Sequence, residues 1–406
     1  MGNFGNRGYR GGFRSRNSNR TSYPSKYGNR GRGRGQYIDE SLFIKHATKA
    51  VVVEEYKPTF KYEDLKIHPQ LKGNILKKGF TLPTPIQDKA IPHILQGKDF
   101  VGIANTGTGK TAAFLIPLLE KVLNDRQNKV LIIAPTRELA EQTNEELYIL
   151  TRELRIYSVE CIGGASLYRQ TDNIRRGYHF IIGTPGRLKD LLDKGILDFS
   201  QFSSVVLDEV DRMLDMGFID DIKYLIARLP KERQSLFFSA TTEPKVEQIM
   251  KMILKPDFVK ISVKTGDTAE NVDQDVIRVR DNGEKFAKLT DLLKTPEFKK
   301  VLIFVNTKRG VDKLARDLRG LKFRVESIHG DKRQRERQRA IDNFKYEDAD
   351  MLIATDVAAR GLDISGISHV INYDQPMTYD DYVHRIGRTG RADKKGVALT
   401  FVEKRY

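Results

Sequence analysis

The sequence predicts an α/β protein in which two tandem domains, each built on a parallel sheet, follow a disordered Arg/Gly-rich tail. Three observations lead there. The first is a repeating unit: a short continuous apolar run, a polar or Gly-containing turn, then a helical stretch. The second is that this series restarts after a polar break that begins near residue 264. The third is composition: residues 1–35 hold eight Arg, one Lys and nine Gly but no Leu, Ile or Val.

The 406 residues are 39% hydrophobic and 31% charged, enough apolar content to fill real cores. The lone cysteine, Cys161, excludes a disulfide framework and a cysteine-based zinc site. It agrees with an intracellular, cytoplasmic setting. No apolar run approaches the roughly 18 residues of a membrane helix, and no apolar stretch follows the first charges as in a secretory signal. Net charge is +16, of which the tail supplies +9, because it holds no acid and the first acid of the chain is Asp39. Such a segment has nothing with which to build a core. Its arginines neutralise phosphate, and Phe4, Tyr9, Phe13, Tyr23 and Tyr27 can stack on bases. A nucleic-acid arm is therefore preferred to a plain solubilising tail (residues 1–36).

Residues 37–57 form an extension with Tyr37, Leu42, Phe43 and Ile44, and with Val51–Val53 as a short strand. It is expected to pack on the two-domain body that follows. That first domain, 58–263, carries the runs Phe100–Ala104, Val130–Ala134, Phe180–Gly183, Ser204–Leu207 and Leu236–Phe238. Continuous apolar runs mark strands buried on both faces, and alternation with helices marks a parallel sheet. A linker, 264–273, contains Gly266 and no periodicity. The second domain, 274–406, carries Val301–Val305, Arg324–Ile328, Met351–Ala354, Val370–Tyr373 and Val397–Val402. Ligands of such sheets sit at the carboxyl ends of the strands, where the polar signatures fall here.

One signature is the phosphate loop Ala104, Asn105, Thr106, Gly107, Thr108, Gly109, Lys110 and Thr111. It follows a strand and opens a helix. Apart from Ala104 in place of the first Gly, it fits the pattern in which backbone N–H groups cradle phosphates. Lys110 should reach the β- and γ-phosphates, and Thr111 should ligate Mg2+. A dinucleotide fingerprint is the rival reading. It needs an acid at the end of the next strand, which instead ends in Pro135-Thr136-Arg137. A second signature is Asp208-Glu209-Val210-Asp211, after the strand Ser204–Leu207. Alone, acids there read as helix caps. Downstream of a phosphate loop, Asp208 reads as the Mg2+ ligand and Glu209 as the base for the attacking water. Asp211 is placed to bond Ser239 or Thr241.

From residue 58 onward the chain resembles the DEAD-box ATP-dependent RNA helicases of helicase superfamily two, with a DEVD form of the name-giving tetrad. The resemblance rests on ordered motifs along both domains. It implies two RecA-like domains that bind ATP, Mg2+ and RNA. Gly79-Phe-Thr-Leu-Pro-Thr-Pro-Ile-Gln87 resembles the Q motif, whose Gln reads adenine; Tyr62 stands where the family's stacking aromatic is usually Phe, with Phe60 nearby. The resemblance implies RNA-backbone contacts by Arg137, Gly163, Gly164, Thr184, Pro185, Gly186 and Arg187 in the first domain. In the second it implies them for Thr307, Gln334, Arg337, Thr355 and Arg360. It gives Asp363 to the ribose and makes Arg388 and Arg391 arginine fingers that meet the γ-phosphate. It also implies that Asp211, Ser239, Thr241 and His384 couple hydrolysis to domain closure. Val210 in place of Ala adds two methyl groups, so packing near Ser239 is the property at issue. The implied partner is RNA, single-stranded or short duplex, bound without sequence preference by a monomer. A protein partner would act through the tail. No sequence feature decides between duplex unwinding and remodelling of RNA–protein complexes, and RNA is favoured over DNA by the motif order and Gln87.

Overall fold

The computed structural model describes residues 39–45, 56–105, 107–263, 272–359, 364, 366–390 and 395–404. The tail, Val51–Val53, the linker up to residue 271, Thr106, Arg360, Asp363 and Arg391 lie outside the described residues.

The first sheet is wholly parallel. Its strands are β1 (Phe100–Ala104), β2 (Val130–Ile133), β3 (Ser158–Cys161), β4 (Phe180–Gly183), β5 (Ser204–Leu207), β6 (Gln234–Ser239) and β7 (Val259–Val263). They lie in the order β3-β4-β2-β5-β6-β1-β7. Phe100 pairs with Leu236 and Val130 with Ser204, so β1, β6, β5 and β2 lie side by side. Alternate residues of β2 feed opposite cores. Val130 and Ile132 join Phe114, Leu118 and Phe238, whereas Leu131 and Ile133 join Leu207, Ile222 and Phe237. Burial on both faces is why these strands read as unbroken apolar runs.

The second sheet repeats the plan with β8 (Val272–Val279), β9 (Val301–Phe304), β10 (Val325–Ile328), β11 (Met351–Ala354), β12 (His369–Asn372) and β13 (Gly396–Glu403). Its order is β10-β11-β9-β12-β13-β8, again all parallel. The central strands match the sequence reading within a residue or two. Three strands were missed: β3, β7 and β8. All are edge strands. In them, residues such as Glu160, Lys260 and Asp275 interrupt the apolar pattern. β8 also takes Val272 and Asp273 out of the expected linker.

The extension packs on the body, as expected, and its residues 39–45 sit on the second of the two domains. Lys45 bridges Gln274 in antiparallel sense. Phe43 is fully buried, with its ring centroid 4.7 Å from that of Tyr382, and Glu40 meets Arg278 at 3.3 Å. A single buried aromatic at the edge of an open sheet supplies the driving force.

Candidate functional site

β1 ends at the buried Ala104, and the chain turns through the phosphate loop into helix Lys110–Asn124. Gly107 and Gly109 take φ of 83° and 92°, which L side chains adopt only under strain. Lys110 is buried, and its Nζ donates to Ala104 O at 3.0 Å. The Thr108 hydroxyl donates to Asn105 O at 2.8 Å. Thr111 stands half-buried in the first helical turn.

The Q-motif segment closes over this loop. Thr84 caps helix Pro85–Leu95, and its hydroxyl donates to Thr108 O at 2.8 Å. The Gln87 amide donates from Nε2 to Gly109 O at 3.1 Å. Its Oε1 accepts from Thr84 N–H at 2.8 Å and from the Tyr62 hydroxyl at 2.8 Å. A Cβ on Gly109 would come within 2.5 Å of Gln87 Nε2, so the close approach requires glycine there. The stacking role expected of Tyr62 does not survive. The residue is fully buried, with its ring 5.8 Å from Phe80 and 6.1 Å from Phe60, and it offers no face to a base. Phe60 and Phe80, the aromatics beside it, are both partly exposed.

At the end of β5, Asp208 and Glu209 are both buried, and Glu209 takes φ of 52°. Burial pushes the Asp208 carboxyl up to about 6; Lys110 opposes the rise and Glu209 adds to it. Asp208 Oδ1 is buried without a hydrogen-bond partner. An orphaned carboxylate oxygen near a phosphate loop fits a cation site. Glu209 Oε2 meets Arg212 Nη1 at 2.6 Å in a buried pair. Asp211 Oδ2 accepts from Ala240 N–H at 3.1 Å, so the link from the tetrad to the end of β6 runs through the backbone between Ser239 and Thr241. Ser239 Oγ accepts from Thr241 N–H at 3.3 Å. Val210 is fully buried in the same cluster as Met213 and Phe237, which accommodates its extra methyl groups.

The remaining residues expected to meet RNA divide into two sets. In the first domain, the Arg137 guanidinium lies on Gly163 and Gly164; a Cβ on Gly164 would approach Arg137 Nη1 to 2.5 Å. Thr184 caps helix Pro185–Asp193, which includes Gly186. Arg187 Nη1 donates to Gln170 Oε1 at 2.8 Å. In the second domain, Thr307 caps helix Lys308–Gly320, and Thr355 precedes the short helix Asp356–Ala359. Gln334 and Arg337 are turned toward the first domain. Gln334 Nε2 donates to Glu141 Oε1 at 2.8 Å, and Arg337 Nη2 meets Glu138 Oε1 at 2.6 Å. They therefore join the two domains where direct RNA contact was expected.

Sequence reasoning passed over Arg385, which is fully buried. Its Nε and Nη2 hold Asp356 at 2.5 and 2.7 Å, and Nη2 also reaches Asn306 Oδ1 at 2.8 Å. The guanidinium lies 5.0 Å from the Phe304 ring centroid. The signal was present: an arginine between Tyr382 and Ile386 on the apolar side of a helix. His384 and the buried Arg388 line the same small cavity as Asp356 and Arg385.

This arrangement, a phosphate loop and buried acids in one parallel-sheet domain and an arginine-bearing helix in a second, defines a two-domain helicase core. Comparison with known proteins agrees. Residues 84–249 match the DEAD/DEAH box helicase family, and residues 284–393 match the helicase conserved C-terminal domain. The chain is 44% identical over 344 residues to the ATP-dependent RNA helicase CshA of Limosilactobacillus reuteri, covering 84% of this chain and 69% of that protein. It is 46% identical to the Streptococcus pneumoniae DEAD-box helicase CshA over 84% of this chain and 65% of the relative's length. The structure of S. cerevisiae Dbp5 bound to RNA and ADP BeF3 superposes with a TM-score of 0.75 at 33% identity, covering 85% of this chain and 90% of that one. The chain belongs to the DEAD-box ATP-dependent RNA helicases, a family of ATP hydrolases.

Proposed function

We propose that this chain couples RNA-stimulated ATP hydrolysis to docking of its two domains, and so opens short RNA duplexes or remodels RNA–protein complexes. The observation that carries this is the pairing of a phosphate loop and buried acids in the first domain with a charge-paired seam to the second. The phosphate loop binds the ATP phosphates, with Lys110 exchanging its bond to Ala104 O for phosphate oxygens. Asp208 and Thr111 are the residues that would hold Mg2+, which neutralises phosphate charge when bound. Glu209 orients the attacking water and takes its proton.

RNA lies along Arg137, Gly163, Gly164, Thr184 and Arg187 in the first domain and Thr307 and Thr355 in the second. Backbone contacts of this kind read shape and the 2′-OH rather than sequence. Because ATP and RNA would each touch both domains, each favours docking and so the binding of the other. Arg388, with Arg391, supplies charge to the γ-phosphate from the second domain. The Arg/Gly tail adds phosphate contacts, and the chain acts as a monomer. Deleting residues 1–35 should weaken RNA binding and flatten its salt dependence; an unchanged salt slope would remove the tail from the RNA site. The reading as a whole is tested by strand displacement of a short RNA duplex with ATP, beside ATP turnover. ATP turnover that rises with RNA supports it, and turnover indifferent to RNA counts against it.

A further inference from the structure

The Gln87 amide has few bonds left to give. A carboxamide oxygen has two lone pairs. Both are used here, one by Thr84 N–H at 2.8 Å and one by the Tyr62 hydroxyl at 2.8 Å. The amide cannot be the other way round. Thr84 N–H can only donate, so it needs Oε1, and Gly109 O can only accept, so it needs Nε2. The Tyr62 hydroxyl must then be the donor. Its ring is locked in the core against Phe60 and Phe80, and burial pushes its ionisation further up, so the proton stays in place. What Gln87 can still offer a base is the second hydrogen of Nε2.

That hydrogen does not separate the purines. Adenine and guanine both present an acceptor at N7, and they differ at position 6, where adenine carries an amino donor and guanine a carbonyl acceptor. For Gln87 to tell them apart, its amide needs a free acceptor position, and the Tyr62 hydroxyl occupies it. We propose that Tyr62 is a specificity-determining residue that holds Gln87 as a donor-only group and so relaxes the preference of this chain for ATP over GTP. The inference rests on the reading of Gln87 as the residue that faces the nucleobase. A phenylalanine at this position would keep the packing and release the oxygen.

The test uses fluorescent ATP and GTP analogues labelled on the ribose, with Kd measured on the full chain for the parent, Tyr62→Phe, Gln87→Ala and the double variant. Tyr62→Phe should raise the ratio of GTP to ATP dissociation constants about three- to ten-fold, the worth of one hydrogen bond. The gain should appear as tighter ATP binding and should vanish in the Gln87→Ala background. A ratio that stays level or falls in Tyr62→Phe, with the melting temperature kept, overturns the proposal while leaving Gln87 in its role. A gain that persists without Gln87 overturns it also, because Tyr62 would then act by another route. If Gln87→Ala changes the ratio in neither background, the nucleobase reading of Gln87 fails, and the proposal with it.

Discussion

Replacing Arg337 with Met tests the seam between the two domains. The Arg337 and Glu138 side chains are 8% and 1% exposed, with Nη2 and Oε1 2.6 Å apart. The other carboxylate oxygen, Glu138 Oε2, already lacks a partner. Without the guanidinium, Glu138 keeps only the Gln334 amide at 3.5 Å. Breaking a buried pair by removing one member costs about 3–5 kcal/mol, because a charge is left unpaired. Solvent screening is slight at such exposures. Taking the lower end for the residual amide, the docked arrangement weakens roughly 100-fold. The pair exists only when the domains meet, so the loss falls on docking rather than on either fold. RNA affinity with a non-hydrolysable ATP analogue should drop by a similar factor. RNA affinity without nucleotide should change little. Replacing both partners, Glu138→Gln with Arg337→Met, should restore most of the loss, since no charge remains buried. Fluorescence anisotropy of a labelled single-stranded RNA reads all three. A single variant within about two-fold of the parent, with its melting temperature intact, would refute the reasoning.

Glu209→Gln should keep ATP and RNA binding yet lose about 10²–10⁴ in turnover, measured by single-turnover hydrolysis; normal turnover would remove Glu209 as the base. Gly164→Ala forces a Cβ to 2.5 Å from Arg137 Nη1 at a residue whose φ is 82°, so RNA affinity should fall while ATP affinity holds. Equal RNA binding would mean that the Arg137 guanidinium is not presented by the two glycines. Stability should also depend on pH through Glu141, whose carboxyl burial pushes up to about 7, with Glu160 adding to the rise while Gln334 and Arg337 of the second domain oppose it. A folded-state value above that of the unfolded chain means the ionised form is disfavoured on folding, so the contribution to stability should grow as pH falls from about 8 to 6. Thermal melts across that range should show a shallower pH trend in Glu141→Gln than in the parent; an unchanged trend would assign it to another group.

The parts legible in sequence were those where one local requirement dictates residue type. The phosphate loop needs Gly107 and Gly109 at positive φ, and the buried strands β1, β2, β4 and β5 need unbroken apolar runs. The acids of the second signature were found from their place after β5. Edge strands β3, β7 and β8 were not, because one side of each meets solvent and polar residues such as Glu160 and Asp275 are tolerated. The seat of residues 39–45 depends on β8, more than two hundred residues away, and local pattern carries no trace of that pairing. Gln334 and Arg337 were read from the resemblance as RNA contacts. Their direction was not legible, because it is set by Glu138 and Glu141 on another domain. Tyr62 was placed by spacing alone, and spacing cannot show that a ring is enclosed by Phe60 and Phe80.

The most direct measurement is steady-state ATP hydrolysis by the full chain with and without single-stranded RNA, with Glu209→Gln as the background. The account expects strong stimulation by RNA that the variant abolishes. Hydrolysis of equal rate in both conditions would contradict it, since ATP and RNA would then not share one docked arrangement of the two domains.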